Sequence, residues 1–205
     1  MNLLRAVHRE YPDPGTASLL ARWRANRGAA APSWLVAGRR AAPDSPMALQ
    51  LHSPDFEDGG ALPRRLTCEG DDLSPALSWE GAPPHTRSFA LVVDDPDAPD
   101  PAHPRTRWVH WVLYNLPAAA QALPGGAARA QLPAGAREGL NDWKRTGYGG
   151  PCPPIGRHRY FHTLYALDCE LPELGSPTRA QLEAAMEGHV LSRAQRMGTY
   201  QKQQG

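Results

Sequence analysis

At 205 residues the chain has room for one domain and an appendage. Its 22 basic and 21 acidic residues leave a net charge of +1, which removes the electrostatic case for nucleic acid. Three cysteines with no CxxC pair exclude a disulfide-dense scaffold and argue against structural zinc, while leaving room for one bridge.

Residues 1–46 differ from the rest. They carry seven arginines against three acidic residues, with only short apolar clusters such as Trp34-Leu35-Val36. Residues 16–27 have the composition of a short basic helix suited to a membrane surface. Composition favours instead a disordered extension, or a start placed too far upstream of Met47. No apolar run approaches the roughly 20 residues of a membrane span. Arg5, His8, Arg9 and Glu10 break up any signal-peptide core, so the expectation is a cytoplasmic protein.

From Met47 the pattern turns β-rich, with short apolar runs punctuated by Pro and Gly. Residues 87–95 (RSFALVVDD) read as a buried strand ending in a turn. Residues 108–115 (WVHWVLYN) and 158–168 (HRYFHTLYALD) read as two more. Alternation puts Trp108, His110, Val112 and Tyr114 on one face, and His158, Tyr160 and His162 on another. Thr178-Arg179-Ala180-Gln181 has the form of a capping box before Leu182, Ala185 and Met186. A helix should follow and end near Gly188, with residues 189–197 forming a second one.

Two segments concentrate chemistry. Asp95 and Asp97 alternate with Pro96 and Pro99 just beyond a strand end. The prolines fix φ and remove two donors, so the turn is stiff and one X–Pro bond could be cis. Asp-Pro is also ordinary turn chemistry, and that reading stands beside the functional one. His110 lies between two tryptophans. Apolar neighbours would depress its pKa, whereas Asp95 or Asp97 closing on it would make it a protonated donor to an anion. His158 and Tyr160 repeat the donor theme, with Arg159 on the opposite side. His158 and His162 could be two ligands of a metal, but no third is apparent, so no metal site and no cofactor is assigned. Cys152 could pair with His158 as a thiol nucleophile, or be a small thiol in a Pro-rich turn. No nucleophile elbow, HExxH or phosphate-binding glycine loop occurs.

Residues 47–202 resemble the phosphatidylethanolamine-binding proteins, also called Raf kinase inhibitor-like proteins, in particular the bacterial YbhB/YbcL branch. Asp95-Pro96-Asp97-Ala98-Pro99 matches one family signature. Pro153-Pro154 followed by His158-Arg159-Tyr160 matches the other. Trp79, Trp108, His110, Asn141-Asp142-Trp143 and residues 164–168 also fit. The resemblance implies a large central antiparallel sheet flanked by a smaller one, with peripheral and C-terminal helices.

It further implies a small pocket for phosphate-like anions such as phosphorylethanolamine head groups. That pocket would be built by Asp95, Pro99, Trp108, His110, Pro154, His158 and Tyr160, with Asp97 as ligand or turn support. A non-enzymatic binding protein that regulates a kinase or protease is the expectation, and a homodimer is compatible with it. The rivals are an interaction module with a vestigial pocket and a thiol hydrolase using Cys152 and His158. The loop Ile155-Gly156-Arg157 is short, and Cys152 stands where eukaryotic relatives tend to have Gly. Arg157 reads as a solvated charge more readily than as an anion contact.

Overall fold

The segment SFALVVDD, apolar from Phe89 to Val93, is buried at every position because its strand lies in the middle of a sheet covered on both faces. A computed structural model describes residues 48–127 and 132–203. The expectations for residues 1–46 lie outside the described residues. The strands in chain order are β1 (Gln50–His52), β2 (Leu77–Glu80), β3 (Ser88–Asp95), β4 (Trp108–Pro117), β5 (Ala122–Leu123) and β6 (Arg137–Glu138). They are followed by β7 (His158–Leu167), helix α1 (Arg179–Met186) and β8 (Val190–Tyr200). A large sheet runs β6-β4-β3-β7-β8 and a small one β1-β2-β5, with antiparallel neighbours throughout. This is the mainly β architecture that the resemblance implies.

Period-two alternation sends the residues of β3 to two separate cores. Phe89, Leu91 and Val93 pack with Trp111, Leu113 and Leu164 against Leu51, Leu77, Trp79 and Leu123 of the small sheet. Ala90 and Val92 pack with Val112, Tyr114 and Leu167 against Leu182 and Met186 of α1. Each large side chain withdrawn from water in these layers stabilises the fold by roughly 1.5–3 kcal/mol. The Thr178 hydroxyl accepts from the Gln181 amide while the Gln181 side chain accepts from the Thr178 N–H, so α1 starts at the capping box. Gly188, with φ of 81°, turns the chain after the helix.

Residues 189–197 do not form a second helix. His189 completes the turn after α1 and residues 190–197 belong to β8, which pairs with β7 along most of its length. The exposed edge of β7 supplies hydrogen-bond partners that outweigh the local helical propensity of Ser-Arg-Ala-Gln-Arg. Gly198 seals the choice: a β-carbon there would lie 2.5 Å from the Leu62 side chain, which crosses the strand at that point. Ladder bonds from Leu62 to Thr199 and from Thr199 to Gly60 hold the crossing segment.

Candidate functional site

The expected face of β4 is split by a β-bulge. Val93 opposes Trp111 and Asp94 opposes Val109, so His110 is the extra residue between them. Val109 therefore joins Val112 and Tyr114 in the core beneath α1. His110 turns instead to meet Tyr160 of β7 and Trp143, edge to face, at 5.2 and 5.1 Å. Bulges commonly re-aim one side chain beside a functional site.

The result is a cavity of about 330 Å³ lined by Asp95, Ala98, Pro99, Trp108, His110, Trp143, Cys152, Pro153, Pro154, His158 and Tyr160. The structure gathers seven of the eight residues singled out from sequence: Asp95, Pro99, Trp108, His110, Pro154, His158 and Tyr160. Asp97 is the exception. Its carboxylate turns away to accept from the Arg159 backbone N–H and guanidinium at 2.7–2.9 Å. That guanidinium holds the Asp97 pKa below the usual carboxylate range. Asp97 thus anchors the turn to β7, and the Ala98–Pro99 bond within it is cis.

The carboxylate expected at His110 goes to His158 instead. Asp95 Oδ2 lies 2.7 Å from His158 Nδ1, and Asp95 Oδ1 accepts from the Asp97 N–H at 2.7 Å. On its other side, His158 Nε2 donates to the Ile155 carbonyl at 2.9 Å. A carbonyl cannot donate, so Nε2 carries a hydrogen and one further proton lies between Nδ1 and Asp95. Burial raises the Asp95 pKa, and the hydrogen bond from His158 opposes that rise. Both His158 nitrogens are occupied, so this ring supports the wall and has no donor to spare for a ligand.

His110 is differently placed. Its Nδ1 donates to the Gly149 carbonyl at 2.6 Å, while the Gly149 N–H donates to the His110 carbonyl at 3.0 Å. Burial pushes its pKa down to about 4, so at neutral pH the ring is uncharged. Nε2 is then an acceptor at the cavity wall. The Tyr160 hydroxyl is buried and has no partner within the protein. Burial raises its pKa, so it remains a donor.

Trp143, 41% exposed, forms the rim; its ring stands edge-on to Trp108 at 5.4 Å. It escaped the sequence reading as a wall residue because it lies in an irregular loop, where periodicity says nothing about facing. A β-carbon on Gly149 would lie 2.5 Å from the Trp143 ring. Gly149→Ala should therefore swing the indole outward at a cost of about 1 kcal/mol. A red-shifted tryptophan emission with a near-native melting temperature is the expected signature; an unchanged emission would show that the ring is not seated on Gly149.

The thiol–imidazole pair is not assembled. Cys152 is joined to Cys68 in a disulfide, and His158 is held by Asp95 and Ile155. His162 does not approach as a metal partner of His158; it packs on Phe56 at 5.2 Å, with both nitrogens unpartnered. The potential metal ligands that do cluster among the described residues are Asp168, Cys169 and His189, none of which lines the cavity. No helix of the described residues is long and apolar enough to cross a membrane.

Fold and site define a class: a two-sheet β domain with a small, aromatic-walled pocket at a bulged strand end. Comparison with known proteins makes this specific. Residues 52–201 match the phosphatidylethanolamine-binding protein family model, and the chain belongs to that family. It is 44% identical over 157 residues to a UPF0098 protein of Methanothermobacter thermautotrophicus, covering 76% of this chain and 99% of that one. A UPF0098 protein of Chlamydia pneumoniae is 44% identical over 154 residues, with 75% and 99% covered. Among solved structures, the putative phosphatidylethanolamine-binding protein homolog CT736 of Chlamydia trachomatis superposes with a TM-score of 0.71 at 39% identity. That match covers 77% of this chain and 99% of CT736. YbcL of E. coli gives 0.69 at 33%, with 76% and 99% covered.

Proposed function

We propose that the pocket binds a small phosphorylated group of the phosphorylethanolamine kind, without turnover. The observation that carries this is the buried Tyr160 hydroxyl with no protein partner, beside the clamped ring of His110. An unsatisfied buried hydroxyl costs about 1–3 kcal/mol, which a ligand oxygen would recover. A phosphomonoester can accept from Tyr160 and place its own acidic proton on His110 Nε2. The ammonium of the same head group would face the aromatic walls of Trp108 and Trp143 and the carboxylate of Asp95. The anion thus enters a pocket whose one carboxylate is already matched by His158. Regulation of a partner kinase or protease, in the cytoplasm, is the role we attach to this binding, on the family resemblance alone.

The test is an NMR titration of the full chain with phosphorylethanolamine, with inorganic phosphate and ethanolamine as separate arms. Saturable shifts of the His110 ring and of the Asp95–Pro99 amides are expected, tighter at pH 5.5 than at pH 8 because binding carries a proton to His110. Tyr160→Phe and His110→Ala should each weaken binding about ten-fold or more. Unperturbed spectra at millimolar ligand would refute the head-group reading.

A further inference from the structure

The cavity wall from Pro151 to Pro154 contains three prolines, which have no N–H to give. Among the hydrogen bonds of the described residues, this stretch makes one, from the Cys68 N–H to the Pro151 carbonyl at 3.1 Å. Its other anchor is covalent, the bond between Cys68 and Cys152. Cys152, Pro153 and Pro154 all line the cavity. Gly149, just upstream, carries the carbonyl that orients His110.

Around the bridge, Tyr148 donates to the Leu66 carbonyl at 3.1 Å and Gly150 donates to Asp72 at 2.6 Å. These ties keep the two loops adjacent whether or not the sulfurs are bonded. Both cysteines are exposed, unlike a disulfide sealed in a core. Exposed bridges are the ones open to exchange with external thiols.

We propose that the Cys68–Cys152 disulfide is a redox gate on the anion pocket, an inference that rests on the binding function above. Oxidised, it holds the proline wall at Cys152–Pro154 in register with His110 and Tyr160. A dithiol reductant opens it. One thiolate of the reductant attacks an exposed sulfur, the bond between the cysteines breaks, and a mixed disulfide forms. The second thiol of the reductant displaces the remaining sulfur. The reductant leaves as a disulfide, and two electrons and two protons end on Cys68 and Cys152. The freed wall no longer holds its geometry, and preorganisation is lost.

The experiment uses the full chain with phosphorylethanolamine as probe, oxidised and after reduction with excess dithiothreitol, alongside Cys68→Ser. The methyl NMR spectrum monitors the fold. The expected result is a native spectrum in all three, with binding about ten-fold weaker in the reduced protein and in Cys68→Ser than in the oxidised protein. Cys68→Ser should also be indifferent to reductant. Equal affinity in both redox states would overturn the gate and leave the anion reading intact. Binding in neither state would overturn the anion reading and the gate with it. Loss of the native spectrum on reduction would also overturn the gate, because the bridge would then be a structural staple.

Discussion

Asp95→Ala is expected to destabilise the protein by about 3 kcal/mol, the scale for removing one member of a buried charged pair. The carboxylate is buried and serves two partners at once, His158 Nδ1 and the Asp97 N–H, each at 2.7 Å. Alanine strands both. The imidazole, fully buried and still donating through Nε2 to Ile155, loses its Nδ1 partner. Asp95→Asn separates charge from hydrogen bonding. Its amide oxygen can accept from the Asp97 N–H while its NH2 donates to the lone pair of a neutral His158. The asparagine variant should therefore retain most of the stability lost in the alanine one. Urea unfolding of the three proteins at pH 7 decides the matter: equal losses for Ala and Asn would mean that net charge, not hydrogen bonding, holds the wall.

The second large effect is acid sensitivity above the usual carboxylate range. Burial depresses both His110 and His162 to about 4. The unfolded chain takes up protons near pH 6.5, whereas the folded rings resist until about 4. Stability is therefore fully present above pH 6.5, declines as the pH falls from there to about 4, and falls no further on their account below that. Each ring contributes about 3 kcal/mol to the decline. Asp94 and Asp95 act in the opposite sense, because burial raises their pKa and the folded state takes their protons more readily. Arg196, which donates to the Phe56 carbonyl and lies over its ring, is the fixed cation of the His162 surroundings.

His162 is the cleaner probe, since it does not line the cavity. His162→Phe removes one titration and keeps an aromatic ring against Phe56. The slope of unfolding free energy between pH 6.5 and 4.5 should then be about half that of the parent. An unaltered slope would show that the ring is protonated in the fold.

Much of the fold was legible because its signals are local. β3 carries an unbroken apolar run from Phe89 to Val93, β7 alternates, and the Thr178 capping box marks the start of α1 within one turn. The two motif segments were legible as pocket-forming through their resemblance to the family signatures, on turns that their prolines stiffen. Longer-range features were not legible. The strand at residues 190–200 depends on an unpaired β7 edge, which helical propensity cannot see. Trp143 joins the wall through a loop that has no period.

The sequence alone determined the chemical stock of the site: a carboxylate, imidazoles, a phenol and indoles on short rigid elements. Only the tertiary structure decided how they are paired. The bulge that singles out His110 arises from the mismatch of β3 and β4. Asp95 meets His158 across 63 positions of sequence, and Cys68 meets Cys152 across 84. Sequence spacing carries the geometry of one turn or one strand, whereas partners at such separations are set by sheet register and loop packing.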